Sequence, residues 1–527
     1  MTTGWTKAIS REQLTAKGSA VVRRGGKQLA LFETPDGIFA CNNRCPHEGS
    51  PLREGTLDGS CILTCNWHNW KFDLKTGANQ YGGDGLRVYP VELRGADVWV
   101  DITDPPFEAR RAKIMANLRE AFDDHDYDRI AREIARLRLV GGDPTDAVAE
   151  AILWSYERFE FGWTHAYAGA ADWLTLYDER ANDPETQLIC LLEIVGHIAD
   201  DTLREGTYPY GEGVQDYDED GFVKAMEDED EDTVIAMLRG GLAAGLSFPE
   251  FERGLCRAAL AHYAASGHCM IYVTKAGRLI ERFGDRVAEP VLLSLARHTL
   301  YSRREDHIPE FRHYTEALAA WGKGRNGTAL EAGEFKGLNA KNAMKLAARH
   351  GKGDPEALYR ALLAANADNM LHYDMAYQHQ TDMNIRDNVG WLDFTHTITF
   401  ANAARKTCAK YPELWPHALL QLACFSGRND AYTDAALDDS KWRVDDADDF
   451  FDAGVESLFD HGREEYIVSV HFVKTLLAAR EEVRSGAAGE AADTVLASVN
   501  RLVNSPLKRK HTRRTAHQAM EFVVLDG

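Results

Sequence analysis

Residues 45–55, CPHEGSPLREG, and residues 65–77, CNWHNWKFDLKTG, each bring one cysteine and one histidine close together. Cys45 and His47 form a C-x-H pair, and after 17 intervening residues Cys65 and His68 form a C-x-x-H pair. Thiolate and imidazole are both transition-metal ligands, so the two stretches read as halves of one site. Zinc could occupy two cysteines and two histidines, but zinc-finger spacings put the cysteines in one pair and the histidines in the other. Here each stretch carries one of each.

Working outward, the flanking sequence reads as strands. GSAVVRR, KQLALFET, GIFACNN, SCILTC, WKFDLKTG, LRVYPVEL and DVWVDI alternate or run apolar over four to eight positions, separated by Gly, Asp or Asn. DPPFEARR, residues 104–111, breaks that pattern, and the sequence beyond it has helical period. The expected organisation is multidomain: a small all-β module over residues 1–105, then a large all-α domain of repeated helical hairpins over 113–527.

The C-x-H and C-x-x-H motifs, with the sequence around them, resemble the Rieske family, whose [2Fe–2S] cluster has two cysteines on one iron and two histidines on the other. By that resemblance Cys45 and Cys65 hold the buried iron, and His47 and His68 the outer iron that changes valence. The respiratory branch of the family adds a disulfide-forming cysteine after each pair. Ser50 and Trp67 stand at those positions, so the chain resembles the oxygenase and soluble-ferredoxin branch, low in a range of roughly −150 to +300 mV. The family commonly has Gly after its last histidine, where this chain has Asn69, one of the few residues that tolerate positive φ. Cys41 and Cys61 read as buried structural thiols.

A chain of 527 residues is too long for one core, and 44% hydrophobic with 27% charged residues is ordinary for folded proteins. The formal charge of −22 argues against nucleic acid as a partner. The opening MTTGWTKAISREQLTAKG lacks the apolar core of a secretory signal, no run of 18 apolar residues occurs, and the nine cysteines are sparse. A cytoplasmic protein with no membrane partner is expected. Acidic residues gather at 215–232 and basic ones at 508–514, which read as solvated segments.

A Rieske cluster moves single electrons, so the helical domain must supply any substrate chemistry. Ring-hydroxylating oxygenases hold their catalytic iron with histidines five positions apart, and no two of the 19 histidines here have that separation. A ferritin-like site needs two Glu-x-x-His helices, and only Glu310 with His313 fits. Internal repeats are more informative. Four segments begin with a histidine entering a small-residue-rich apolar helix and continue into a second apolar helix: from His165, His268, His396 and His471. Such hairpins bury their faces by stacking, and a stack that closes on itself would point the four histidines at one region. They read either as hydrogen-bonded core residues or as ligands to iron or another transition metal. Asp393, one helical turn before His396, is a candidate further ligand or catalytic base. A rival second site is His372, His379 and Asp382, with the histidines two helical turns apart.

THAYAGAADWL, GHCMIYVTKAGRL and DFTHTITFANA resemble the questin oxidase-like family, across roughly residues 150–480. That resemblance implies an all-helical fold and oxygen insertion into, or cleavage of, an aromatic or ketone substrate. The expected function is an O2-dependent oxidoreductase, an oxygenase or oxidase. It would take electrons from an external reductase or ferredoxin through the cluster to a second, metal centre beside a small organic substrate. The alternative is an electron-transfer or redox-sensing protein whose helical domain binds a partner or ligand.

Overall fold

The computed structural model describes residues 4–81, 83–261, 266–302, 311–324 and 330–525. The chain forms two compact units, residues 1–147 and 148–527.

The first unit begins with the small β module expected from the sequence. Its ten strands are β1 Trp5–Ser10, β2 Ser19–Arg24, β3 Lys27–Thr34, β4 Gly37–Asn42, β5 Thr56–Leu57, β6 Ile62–Thr64, β7 Lys71–Asp73, β8 Val88–Tyr89, β9 Val91–Arg94 and β10 Asp97–Asp101. They pair antiparallel in three sheets, ordered β1-β10-β9, β2-β3-β4-β8 and β5-β6-β7. Alternation along β3 and β4 sends side chains into two separate cores. One holds Leu29, Leu31, Ala40, Val98 and Val100. The other packs Leu52, Leu63, Phe72, Leu74 and Leu86 around Cys45 and Cys65. One short helix, Arg11–Lys17, was not legible as such; Ser10 caps its start, its Oγ accepting from Gln13 N, and Gly18 at φ 70° ends it.

Two further helices, Phe107–Asp123 and Tyr127–Leu139, follow the last strand. They belong to the first compact unit rather than to the helical one that a boundary at 113 would give them. The physical reason is a buried ionic knot. Asp84, 1% exposed, accepts from Arg129 at 3.2 Å and Arg132 at 3.1 Å, with Arg136 at 3.3 Å. Burial pushes the Asp84 carboxyl up, but Arg136 and Arg132 outweigh it and hold the group below its ordinary value. The helix Tyr127–Leu139, which carries all three arginines, cannot leave the module without stranding a buried charge, and Arg129 ties Phe107–Asp123 to it through Glu120 at 2.6 Å.

The second unit is helical. Four helices, His165–Glu179, His268–Phe283, Trp391–Lys410 and Tyr466–Arg484, touch in cyclic order, the fourth returning to the first. Each also packs against the helix that follows it, Pro184–Thr202, Asp285–Tyr301, Trp415–Asn429 and Ala492–Val503 respectively. The unit is therefore a closed inner ring of four helices backed by outer partners. The first and third inner helices are buried nearly all round, so their apolar residues show little one-sidedness. Gly169 lets the first and fourth approach closely: a Cβ there would lie 2.3 Å from Val470 Cγ2. Among the described residues no helix is long and apolar enough to cross a membrane.

Gly267 starts the second inner helix. Its φ is +79°, and a Cβ would meet the Phe400 ring at 2.3 Å. Gly267→Ala is expected to cost about 2–4 kcal/mol, left-handed strain plus overpacking. Gly245, at φ +85° with open space around it, provides the control. Its Ala variant should lose only the backbone part, about 1–2 kcal/mol. Equal losses in urea unfolding would refute the packing contribution.

Candidate metal centres

The first centre is built by two matched loops. In one, Cys45 N donates to Ser50 O at 2.9 Å and Gly49 N donates back to Cys45 O at 2.8 Å. In the other, Cys65 N donates to Trp70 O at 2.7 Å and Asn69 N to Cys65 O at 3.0 Å. Gly49 and Asn69 occupy the same place in their loops, at φ 78° and 61°. Asn69 thus takes the left-handed conformation expected for it. The loops present Cys45 and Cys65, 4% and 3% exposed, from inside, with His47 and His68 at the rim, ring centroids 4.8 Å apart and edge to face. His68 is 43% exposed, with Glu48 3.6 Å from its Nδ1.

These residues fit a [2Fe–2S] cluster on the structure's own terms. His47 Nδ1 is buried without a hydrogen-bond partner, the position of a ligand nitrogen. Burial pushes the Cys45 thiol up to about 11, with the neighbouring Cys65 adding to the shift. A thiol in such a place ionises readily only against bound metal. Trp70, which the sequence did not single out, stacks on His47 at 4.5 Å and 11° and fixes the imidazole plane. All nine cysteines are buried and none is in a disulfide. Cys41, whose thiol burial pushes up to about 12, and Cys61 both sit in the cluster-side core.

The second candidate centre lies inside the helical ring, where His165, His268, His396 and His471 meet. His165 Nε2 lies 3.0 Å from His268 Nε2, and His396 Nε2 lies 3.1 Å from His471 Nε2. The ring centroids of His268 and His396 are 4.3 Å apart and those of His165 and His471 are 4.7 Å apart, so the two pairs form one cluster. Possible ligand atoms of His165, His268 and His396 all lie within 4.8 Å of one another. His471 Nδ1 donates to Ile467 O at 2.6 Å, which leaves the lone pair on Nε2, facing the cluster. Burial first, and the Lys474 ammonium next, hold His165, His396 and His471 well below the ordinary imidazole range. Neutral imidazole is the ligating form.

Register differs between the two halves of the ring. His165 and His268 are the first residues of their helices, as expected, whereas His396 and His471 are the sixth, because those helices begin at Trp391 and Tyr466. That shift reassigns Asp393. It falls in the first turn, where Oδ2 accepts from Gly390 N at 2.9 Å and Oδ1 faces Arg428 at 3.8 Å. It caps the helix and is not among the residues gathered with the histidines. The rival site does not assemble either. The helix expected to carry it ends at Leu371, so His372 turns back to Asp368, 2.9 Å from its carbonyl and 3.1 Å from its carboxylate. His379 ends a separate short helix and, like Asp382, is exposed. Glu310 lies outside the described residues. The acidic stretch is partly structural: Asp218 and Asp230 cap helices, and Glu219 binds Arg253 and Arg257 at 2.8 and 2.7 Å.

Two residues beside the histidines escaped notice. Tyr272 places its hydroxyl 3.5 Å from His165 Nδ1, and Lys474 is 2% exposed, its ammonium pushed down to about 7 by burial. They follow His268 by four and His471 by three residues, the spacing of neighbours on one helix face, which is the signal that could have found them.

Comparison with known proteins bears on the first unit. The Rieske [2Fe-2S] domain family matches residues 4–85. The ferredoxin component of the naphthalene 1,2-dioxygenase system of Pseudomonas aeruginosa is 30% identical over 105 residues, all of that protein and 20% of this chain. The ferredoxin subunit of 3-phenylpropionate/cinnamic acid dioxygenase of Escherichia coli K12 is 33% identical over 78 residues, 74% of that protein and 14% of this chain. The 4beta-methylsterol monooxygenase of Methylococcus capsulatus is 33% identical over 96 residues, 26% of that protein and 16% of this chain. With both ligand loops in place and a ferredoxin component matched along its whole length, the chain belongs, through its N-terminal module, to the Rieske [2Fe–2S] domain family.

Proposed function

We propose that the chain is a Rieske-dependent oxidoreductase of the oxygenase type, in which the four histidines of the helical ring hold a second metal ion, iron, beside a small organic substrate. The meeting of His165, His268, His396 and His471 from four different helices carries this reading. Four imidazoles with no carboxylate, three of them held neutral, suit a divalent first-row ion and favour its reduced state. The relatives' membership of dioxygenase and monooxygenase systems supports the oxygenase class. When bound by Cys45, His47, Cys65 and His68, the cluster supplies electrons singly, received from an external reductase. Around the histidines, Tyr272 can hold a proton at its hydroxyl against His165 Nδ1, and Lys474 can hold or release one at Nζ.

The test is metal stoichiometry of the full-length protein. Wild type is expected to contain about two iron and two sulfide per chain from the cluster, plus about one further iron. His165→Ala/His396→Ala should lose the extra iron and keep the sulfide. Iron equal to sulfide in wild type, unchanged by the double substitution, would sink the second centre and leave the electron-transfer or sensing alternative.

A further inference from the structure

The four inner helices run parallel, and their shared register exposes a second feature. A well of about 470 Å³ is lined by residues of all four, so it lies over the axis of the ring. Asp172, Lys275 and Ala478 each follow their helix's histidine by seven residues and Asn402 follows by six, so the well begins about two turns beyond the histidine layer. Lys474 stands between the two levels. Its charge bears on His165, His396 and His471 on one side, and it feels Asp172 and Lys275 on the other.

The lining is strongly unbalanced for a chain of net charge −22. Five Lys or Arg side chains face two carboxylates, Asp172 and Glu481. Several of the five are engaged: Lys406 with Glu481 at 3.0 Å, Arg480 with Glu179 at 2.6 Å and Arg484 with Asp448 at 2.8 Å. Arg278 differs, its guanidinium being 3.1 Å from the Thr175 hydroxyl. On the floor, Lys275 Nζ lies 2.5 Å from Asp172 Oδ1, while Asp172 Oδ2, on a side chain that is only 5% exposed, has no hydrogen-bond partner. A buried carboxylate oxygen without a donor is an unsatisfied acceptor.

We propose that this well binds a small hydroxy-carboxylic acid, its carboxylate toward Arg278 and Lys275 and its hydroxyl donating to Asp172 Oδ2. The volume is that of a small-molecule site. The proposal concerns a ligand site apart from the substrate position beside the histidines, and it does not depend on the reading above.

Calorimetric titration of the full-length protein with 4-hydroxybenzoate tests it, with benzoate and neutral 4-hydroxybenzamide as companions. Saturable binding of 4-hydroxybenzoate is expected, with both companions about tenfold weaker, each lacking one of the two polar contacts. Arg278→Gln, at the exposed rim, should weaken 4-hydroxybenzoate about tenfold without disturbing the fold, and Lys275→Gln by more. His165→Ala/His396→Ala should bind the probe as wild type does, which separates this site from the fate of the metal. Absence of saturable binding, equal affinity for the neutral amide, or an Arg278→Gln protein that binds as wild type does would overturn the proposal.

Discussion

Acidification from pH 7 to about 4.5 is expected to destabilise the helical unit by about 3 kcal/mol, most of the change falling between about pH 6.5 and 4. Burial depresses His197 and His298 to about 4. An imidazole with a depressed folded-state pKa contributes fully above its unfolded value near 6.5, and the contribution disappears as pH falls toward the folded value. His197 and His298 each account for about 3 kcal/mol over that window. Asp201, raised to about 6 by burial, acts in the opposite direction, since its folded form takes up a proton first, but it is one group against two. Lys474, at about 7, contributes fully only above about pH 10, and that contribution is already gone by neutrality. Urea unfolding at pH 7.5, 6 and 5, followed by far-ultraviolet circular dichroism, measures the slope. A midpoint flat across these three values would contradict the burial of neutral histidines.

Cys65→Ser is expected to remove the cluster altogether, losing about two iron and both sulfides per chain along with the visible absorption and the paramagnetic resonance of the reduced state. The effect reaches the fold. Cys45 and Cys65 belong to the same small core as Leu52, Leu63, Phe72 and Leu86, so losing the cluster removes the cross-link holding two loops over it. Amide exchange at Gly49, Asn69 and Cys45 should accelerate by at least about a hundredfold. The β2-β3-β4-β8 sheet, with its separate core, should keep its protection. Retention of iron and sulfide at wild-type levels would show that Cys65 is not a ligand.

Legibility followed the range of the forces involved. The two Cys/His loops could be read because their candidate ligands are close in sequence, and the Asn69 backbone followed from residue type. The four histidines could be read through repetition, since each opens a similar hairpin. What failed depended on helix ends. Asp393 looked like a ligand until the helix start at Trp391 made it a cap, and His372 and His379 shared a face only on a helix that in fact stops at Leu371. The attachment of Phe107–Leu139 to the first unit was hidden too, because it depends on Asp84, whose three arginines lie more than forty residues away.

The closed ring also has a consequence for how the protein is made. Its last seam joins partners far apart in the chain: Arg480 meets Glu179 across 301 residues, and Ser469 meets Glu193 across 276. During synthesis the first three hairpins emerge with an open side, and contacts of such separation form late and slowly. His471 and Lys474 arrive only with the closing hairpin. A chain stopped before residue 466 would keep three of the four histidines and lack the helix Tyr466–Arg484 that closes the ring over them.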